Sequence, residues 1–513
     1  MLNNVAQVNT IGAALSRSVR KNAASVALKF EDRLWTYQEL DQAVNKVANQ
    51  LLQTGLKQGD RVIAYGKNSD AYVLAWLAIL RAGMVHVPTN FALNTEELGY
   101  VIEQSGARGL ITDVSLAGTV APLLAVTDLA FQGYFHSSAA LSTDILQIAL
   151  SDLPATAPNV SVIGTDLAQF LYTSGTTAAP KAAMMTHQAL MAEYLACMVE
   201  LDIKPHEPML SALPLYHSAQ MHVFLMPALL RGVSIRLMEN PVAEQCLALI
   251  EQENIVSFFA PPTFWIALLR HPDFDKRNLS SLQKAYYGAS IMPVPILKEL
   301  QQRLPNVGLY NCYGQSEIAP LATVLRPEDH ELRPNSAGRP ILTVETRIVD
   351  EQMKDMPVGE HGEIVHRSPQ LLMGYWNDPE TTDAAFTGGW FHSGDVGYLD
   401  EEGYLYIVDR IKDVINTGGI VVASREVEEV IFSHAAVAEV AVIGMPHPKW
   451  IEAITAVVIV KENVTVTADE LIEHARQHLA GYKLPKRIVF SKTLPKSTAG
   501  KILKRRLREE LQA

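Results

Sequence analysis

YTSGTTAAPKAAMM, residues 172–185, crowds hydroxyl side chains around one glycine and brings a lysine, Lys181, six residues after that glycine. Thr173, Ser174, Thr176 and Thr177 put four hydroxyls around Gly175, flanked by backbone amides and one cation, a donor set suited to the outer phosphates of ATP. It is not a Walker loop, which needs a Ser or Thr directly after the lysine; here Pro180 precedes Lys181 and Ala182 follows it. The same residue types also make ordinary surface turns. The choice between the two readings rests on the rest of the chain.

Bulk properties narrow the field. At 513 residues the chain exceeds one core, and a length of ~100–200 residues per domain predicts two to four units. With 48% hydrophobic and 19% charged residues it reads as an ordinary globular protein. A net charge of −12 argues against nucleic acid as a partner, because that needs a large basic face, so any polyanionic ligand must meet a local basic site. Cys197, Cys246 and Cys312 have no metal-ligand spacing and read as buried thiols of a reduced compartment. The first 21 residues lack the apolar stretch of a signal peptide, and the run at 72–88 is broken by Arg81 before reaching the ~18 residues of a membrane span. The expectation is a cytoplasmic protein without a transmembrane segment.

Strand-like and helix-like segments alternate. SVALKF and RVIAYG read as strands, YQELDQAVNKVANQLLQTG as an amphipathic helix ending at Gly55, and DAYVLAWLAILRAG as an apolar helix ending at Gly83. GLIT, VSIRLM, IVSFFAP, KAYYGAS and VGLYNCYG repeat the pattern, which predicts an α/β fold with buried, mostly parallel strands. From about residue 341 the strands become closely spaced around turns, the mark of an antiparallel meander. A compact α/β unit begins after DRIKD, 409–413, where we place a boundary.

Three further stretches bear on the opening turn. YNCYGQSE, 310–317, joins an aromatic, amides and a carboxylate, a set able to stack a base and hold a divalent ion through Glu317. FHSGDVGYLD, 391–400, sets Asp395 in a Gly-flanked turn where a carboxylate can accept both hydroxyls of a ribose. LPKSTAGKILKRRLRE, 494–509, carries Lys501 on a Gly-containing loop before a basic helix.

In this order, with LPLYHS, YYGAS, VDRIKD and NTGG between them, these motifs resemble the adenylate-forming enzymes: acyl-CoA and aryl-CoA synthetases, firefly-type luciferases and nonribosomal adenylation domains. The resemblance covers about residues 25–510, and the match is best to fatty-acyl-CoA synthetases. It implies a large N-terminal adenylation domain of α/β layers and a distorted barrel, 1–409, a hinge at 410–413, and a small mobile C-terminal domain, 414–513. It implies a two-step reaction. A carboxylate attacks the α-phosphate of ATP to give acyl-AMP and pyrophosphate; then the thiol of CoA takes the acyl group and expels AMP.

The resemblance also assigns roles. Lys501 bridges the carboxylate and α-phosphate. Thr173, Ser174, Gly175, Thr176, Thr177 and Lys181 grip the pyrophosphate, and Glu317 with Thr173 binds Mg2+. Tyr313 stacks on adenine beside the turn Gly288, Ala289 and Ser290, with Asn311, Gly314, Gln315 and Ser316 alongside; Asp395 and Arg410 hold the ribose. His217 separates the conformations of the two steps. Lys412 is the pivot about which the small domain turns to bring Gly418 and Gly419 to the site, where glycines let a pantetheine arm pass. The implied partners are a small-molecule carboxylic acid, ATP and CoA, and the resemblance leaves room for a homodimer.

The chain departs from the family pattern at several points. Ala178 and Ala182 replace glycines of the phosphate arm, Val421 to Ser424 replace an Asn and Tyr-Pro stretch, and Ile451 follows Trp450 where glycine is usual. The pocket segments are apolar and aromatic with no Asp set to capture an amino group, which disfavours amino acids. Tyr286 and Tyr287 have two readings, as residues that narrow the mouth of the acid tunnel, which would suit aryl or medium-chain acids, or as structural residues. The expected substrate is a medium- to long-chain fatty acid; an aryl-acid–CoA ligase, an acyl-AMP ligase that loads a carrier protein, and a non-catalytic ligand-binding relative are the alternatives.

Overall fold

The computed structural model describes residues 9–137, 141–173, 179–290, 292–411, 413–418, 420–497 and 500–512, apart from the side chains of Leu141 and Val421. The chain forms a large N-terminal domain of three sheets and a small C-terminal domain around a fourth.

Parallel pairing dominates the two larger sheets, because their strands are buried on both faces and carry no polar alternation. One sheet orders its six strands Phe131–Tyr134, Gly109–Thr112, Arg61–Tyr65, Val85–Thr89, Leu167–Thr173 and Lys181–Thr186. The other has nine strands and includes, side by side, Ser257–Phe259, Lys284–Gly288, Gly308–Gly314 and Leu321–Leu325. The helix Asp70–Arg81 is apolar around its whole circumference, and every residue of it is buried. Helix Tyr37–Gln53 shows the amphipathic alternative: one apolar face and a capping box in which Thr36 and Glu39 satisfy each other's backbone amides.

Glu345–Val349, Gly362–Arg367, Phe391–Leu399 and Leu405–Arg410 form the expected antiparallel meander. The small domain packs Ser424–Phe432 and Ala468–Arg476 on a sheet whose longest strands are Val437–His447 and Ile451–Val460. Among the described residues, no helix is long and apolar enough to cross a membrane.

The structure decides one open reading and corrects one expectation. Tyr286 and Tyr287 alternate across strand Lys284–Gly288, so they cannot both face one tunnel. Tyr286 points into the main core, with its ring against Phe224 and its hydroxyl donating to the Leu201 carbonyl at 2.9 Å; only Tyr287 reaches the cleft described below. Ala182 is not part of a turn. It lies buried in strand Lys181–Thr186, opposite Tyr172, where alanine fits without strain.

Gly288 shows how tightly the two central strands meet. A Cβ there would stand 2.2 Å from the Cys312 carbonyl oxygen. Gly118, in helix Ala117–Leu124, has nothing within 4 Å of that position. Gly288→Ala should therefore lower the urea midpoint clearly, while Gly118→Ala should leave it unchanged or raise stability by up to about 1 kcal/mol. Equal midpoints for the two variants would refute this reading of strand contact.

Candidate active site

A cleft of about 320 Å³ opens where the carboxyl ends of strands Lys284–Gly288 and Gly308–Gly314 face the meander and the small domain. Such strand ends are where open α/β sheets hold ligands. Ala289, Ser290, Asn311, Tyr313, Gly314, Asp395, Arg410 and Lys501 all line this one space, although the sequence spreads them over more than 200 residues.

Each wall has a local cause. Ala289 follows the strand with φ of +63°, which bends the chain toward the cleft at a non-glycine position. Gly314 is required by close approach, since a Cβ would stand 1.8 Å from the Pro320 carbonyl oxygen. Asn311 donates to the Ser336 carbonyl at 2.9 Å. Asp395 and Arg410 sit directly opposite each other in the antiparallel pair and form an ion pair at 3.3 Å. The Tyr313 hydroxyl donates to the second Asp395 oxygen at 2.7 Å, and burial together with that carboxylate raises its pKa.

Lys501 stands on a loop that leans on the large domain. Its amide donates to the Ser497 hydroxyl at 3.2 Å, and the Gly500 carbonyl accepts from the Thr263 hydroxyl at 3.4 Å. Burial, and then the nearby charge of Lys501, lower the pKa of His217 to about 4, so its ring is neutral at pH 7. Among the described residues, the buried His217 Nε2 has no hydrogen-bond partner. Ser316 shares a hydrogen bond of 3.0 Å with Ser218, beside that histidine, and the buried Gln315 amide nitrogen is likewise unpaired.

The phosphate-arm residues Ser174 to Thr177 lie outside the described residues, as do Lys412 and Gly419. The flanks of the arm are clear. Thr173 and Lys181 face each other as the last pair of two antiparallel strands. Lys181 is ion-paired with Asp378 at 3.1 Å and donates to Thr381, partners about 200 residues away that sequence reasoning missed. Glu317 lies in a turn packed against strand Leu167–Thr173, and one of its oxygens accepts from Tyr375 at 3.2 Å. Among the described residues, no group of three His, Cys, Asp or Glu could hold a metal. One carboxylate near a phosphate arm suits Mg2+, which takes its other ligands from phosphates and water. Gly418 does not line the cleft; its amide donates to the Trp450 carbonyl at 2.6 Å in the small domain.

Residues 15–376 match the AMP-binding enzyme family, and residues 426–501 match the C-terminal domain of that family. The chain belongs to the AMP-binding enzymes. It is similar to a feruloyl-CoA synthase of an Amycolatopsis species, 34% identical over 97% of this chain and 98% of that one. It is also similar to a long-chain-fatty-acid–CoA ligase of Mycobacterium tuberculosis, 32% identical over 93% of each chain. ATP-bound MatB from Rhodopseudomonas palustris superposes with a TM-score of 0.91 at 28% identity, covering 98% of this chain and 99% of that one. For apo MatB, with the same identity and coverage, the TM-score is 0.81. The chain is an AMP-forming acid–CoA ligase, with ATP and CoA as substrates and Mg2+ as the metal general to the family.

Buried histidines add a pH signature. His187, His217, His330 and His366 are pushed to about 4 and His222 to about 3, in each case chiefly by burial. A folded pKa below the unfolded value of about 6.5 means the unfolded chain binds more protons in between, so stability is full above pH 6.5 and falls as pH drops toward 4. Urea midpoints measured from pH 8 to 4.5 should hold steady and then decline below about 6.5. A flat profile down to pH 5 would contradict the neutral, buried assignment.

Proposed function

We propose that the cleft joins ATP to a compact apolar carboxylic acid, aryl or medium-chain, and that the residues lining it divide the work as follows. Two anions must meet in the first step, so the developing charge at the α-phosphate needs preplaced cations. Lys501 bridges the acid carboxylate and the α-phosphate. Asp395, with both its oxygens directed by Tyr313 and Arg410, accepts the ribose hydroxyls. Tyr313 and the Gly288–Ser290 turn border the adenine, with Asn311, Gly314 and Gln315 beside it.

Lys181 and the hydroxyls of the arm hold the leaving pyrophosphate after Lys181 exchanges Asp378 for phosphate oxygens. Glu317 and Thr173 are the residues that would hold Mg2+, which supplies charge neutralisation at the phosphates. His217, uncharged, walls the acid from the second-step channel without adding a competing cation. The small domain, beyond a hinge at 410–413, then turns about Lys412 so that Gly418 and Gly419 replace Lys501 at the acyl-adenylate and admit the CoA thiol.

The observation that carries this reading is Lys501 in one cleft with Asp395, Arg410 and Tyr313. The better superposition on ATP-bound than on apo MatB supports an arrangement suited to the first step. The cleft is about 320 Å³, and its lining includes Ile266, Tyr287 and Met292, apolar side chains that suit a compact apolar acid. The likeness to a feruloyl-CoA synthase points the same way.

Pyrophosphate release with benzoic, cinnamic, ferulic, hexanoic, decanoic and palmitic acids, with and without CoA, tests this. The expected ranking puts the aryl and C6–C10 acids above palmitic acid by about ten-fold or more in kcat/KM. Palmitic acid as the best substrate would overturn the size assignment. Lys501→Ala should lose adenylate formation yet keep much of the thioester step when given preformed acyl-adenylate; equal loss of both half-reactions would remove Lys501 from its role.

A further inference from the structure

Between the meander and the small domain runs a chain of hydrogen bonds that the site residues do not explain. Asp409 is the penultimate residue of the meander's last strand, next to Arg410. One of its oxygens accepts from the Arg410 amide at 2.8 Å. The other accepts twice from Ser424, from the amide at 2.6 Å and from the hydroxyl at 2.7 Å. Ser424 is fully buried and opens the helix Ser424–Phe432, whose preceding residue, Ala423, offers no side-chain cap. Asp409 therefore caps that helix from outside it, placing a carboxylate at a helix N-terminus. Beside it the Arg425 guanidinium donates to the Ile407 carbonyl.

The chain continues to the C-terminus. Lys504 donates to the Ser424 hydroxyl at 2.6 Å and pairs with Glu428 at 2.8 Å, both side chains being less than one-fifth exposed. Glu428 is itself held, accepting from the Val442 amide at 2.7 Å. Lys504 begins the last helix, three residues after Lys501. Two classes of contact can be separated. Those of Lys504 with Ser424 and Glu428 lie within the small domain and survive any movement of it as a body. Those of Asp409 with Ser424, and of Ile407 with Arg425, cross the 410–413 segment and break when the small domain turns.

We propose that Asp409 is the latch of the first-step arrangement: by accepting both hydrogen bonds from Ser424 it holds the small domain where Lys501 faces the cleft, a positioning residue for adenylate formation and not for the thioester step. This rests on the hinge reading given under Proposed function. Only the cross-hinge contacts are specific to one arrangement, so the two half-reactions should respond differently.

The test uses the full chain and the best acid of the panel above. Asp409→Ala should slow adenylate formation about ten-fold or more while leaving the thioester step, started from preformed acyl-adenylate, within about two-fold or faster. Asp409→Asn keeps one acceptor oxygen for Ser424 and should recover much of the loss. An equal fall in both half-reactions, or unchanged adenylation, overturns the latch. If Asp409→Ala does not accumulate as folded protein, Ser424→Ala combined with Arg425→Met carries the same expectation. Hydrogen exchange gives a readout independent of turnover: amides of 495–503 should exchange several-fold faster in the variant than in the parent. Unchanged exchange sinks the latch even where no acid is turned over, whereas faster exchange with no pyrophosphate from any acid would leave the latch standing and fail the substrate reading.

Discussion

The Asp395 carboxylate has its two oxygens directed by different parts of the fold. One faces Arg410 across an antiparallel strand pair, and the other takes the Tyr313 hydroxyl from the neighbouring nine-stranded sheet. A buried carboxylate is costly unless paired and hydrogen-bonded, so this group fixes how the meander sits against the parallel strands. The cleft follows from that junction. The strand ends at Gly288 and Gly314 supply one wall and the meander another, and the loop carrying Lys501 closes the space from the small domain.

A chain with a net charge of −12 must handle a polyanion through local cations, and here those cations already have partners. Lys181 is paired with Asp378, Arg410 with Asp395, and Lys504 with Glu428. Pairing lowers the cost of holding a cation in a partly buried cleft before the nucleotide arrives. Under the role proposed for Lys181, nucleotide binding would be an exchange in which a phosphate oxygen outcompetes the Asp378 carboxylate, and that would favour a ligand with several negative charges over a monoanion.

The fold class and the cleft were largely legible because their signals are local. Parallel strands announce themselves as short apolar runs, and the residues that line the cleft sit in continuous stretches such as YNCYGQSE and HSGDVGYLD. What escaped was long-range. Nothing near Lys181 in sequence points to Asp378 or Thr381, and nothing near Asp409 points to Ser424, because these pairs exist only once strands and helices are packed. The choice between the two readings of Tyr286 and Tyr287 stayed open for a related reason. Two adjacent tyrosines read alike in sequence, yet the period of two along a strand sends them to opposite faces, one to the core and one to the cleft. Ala182 was counted in the phosphate arm, but hairpin pairing starts at Lys181, and a strand asks nothing of glycine.

Ile451 shows that a departure from a family pattern can be absorbed by its surroundings. Its φ is +64°, a region that costs a β-branched residue on the order of 1–2 kcal/mol. The Glu452 amide donates back to the Trp450 carbonyl at 2.7 Å, which makes residues 450–452 a tight three-residue turn with Ile451 at its centre. The same carbonyl also takes the Gly418 amide at 2.6 Å, and Thr417 pairs with Ile451 along the strand edge. The strained turn and the tip of the 415–422 hairpin therefore hold each other through one shared acceptor. Glycine at 451 would relax the turn and leave these bonds in place, since all of them are made by backbone atoms of residues 418, 450 and 452. What the isoleucine adds is an apolar side chain that is 59% exposed. The turn that carries the strain is thus also the one whose carbonyl holds the Gly418 amide.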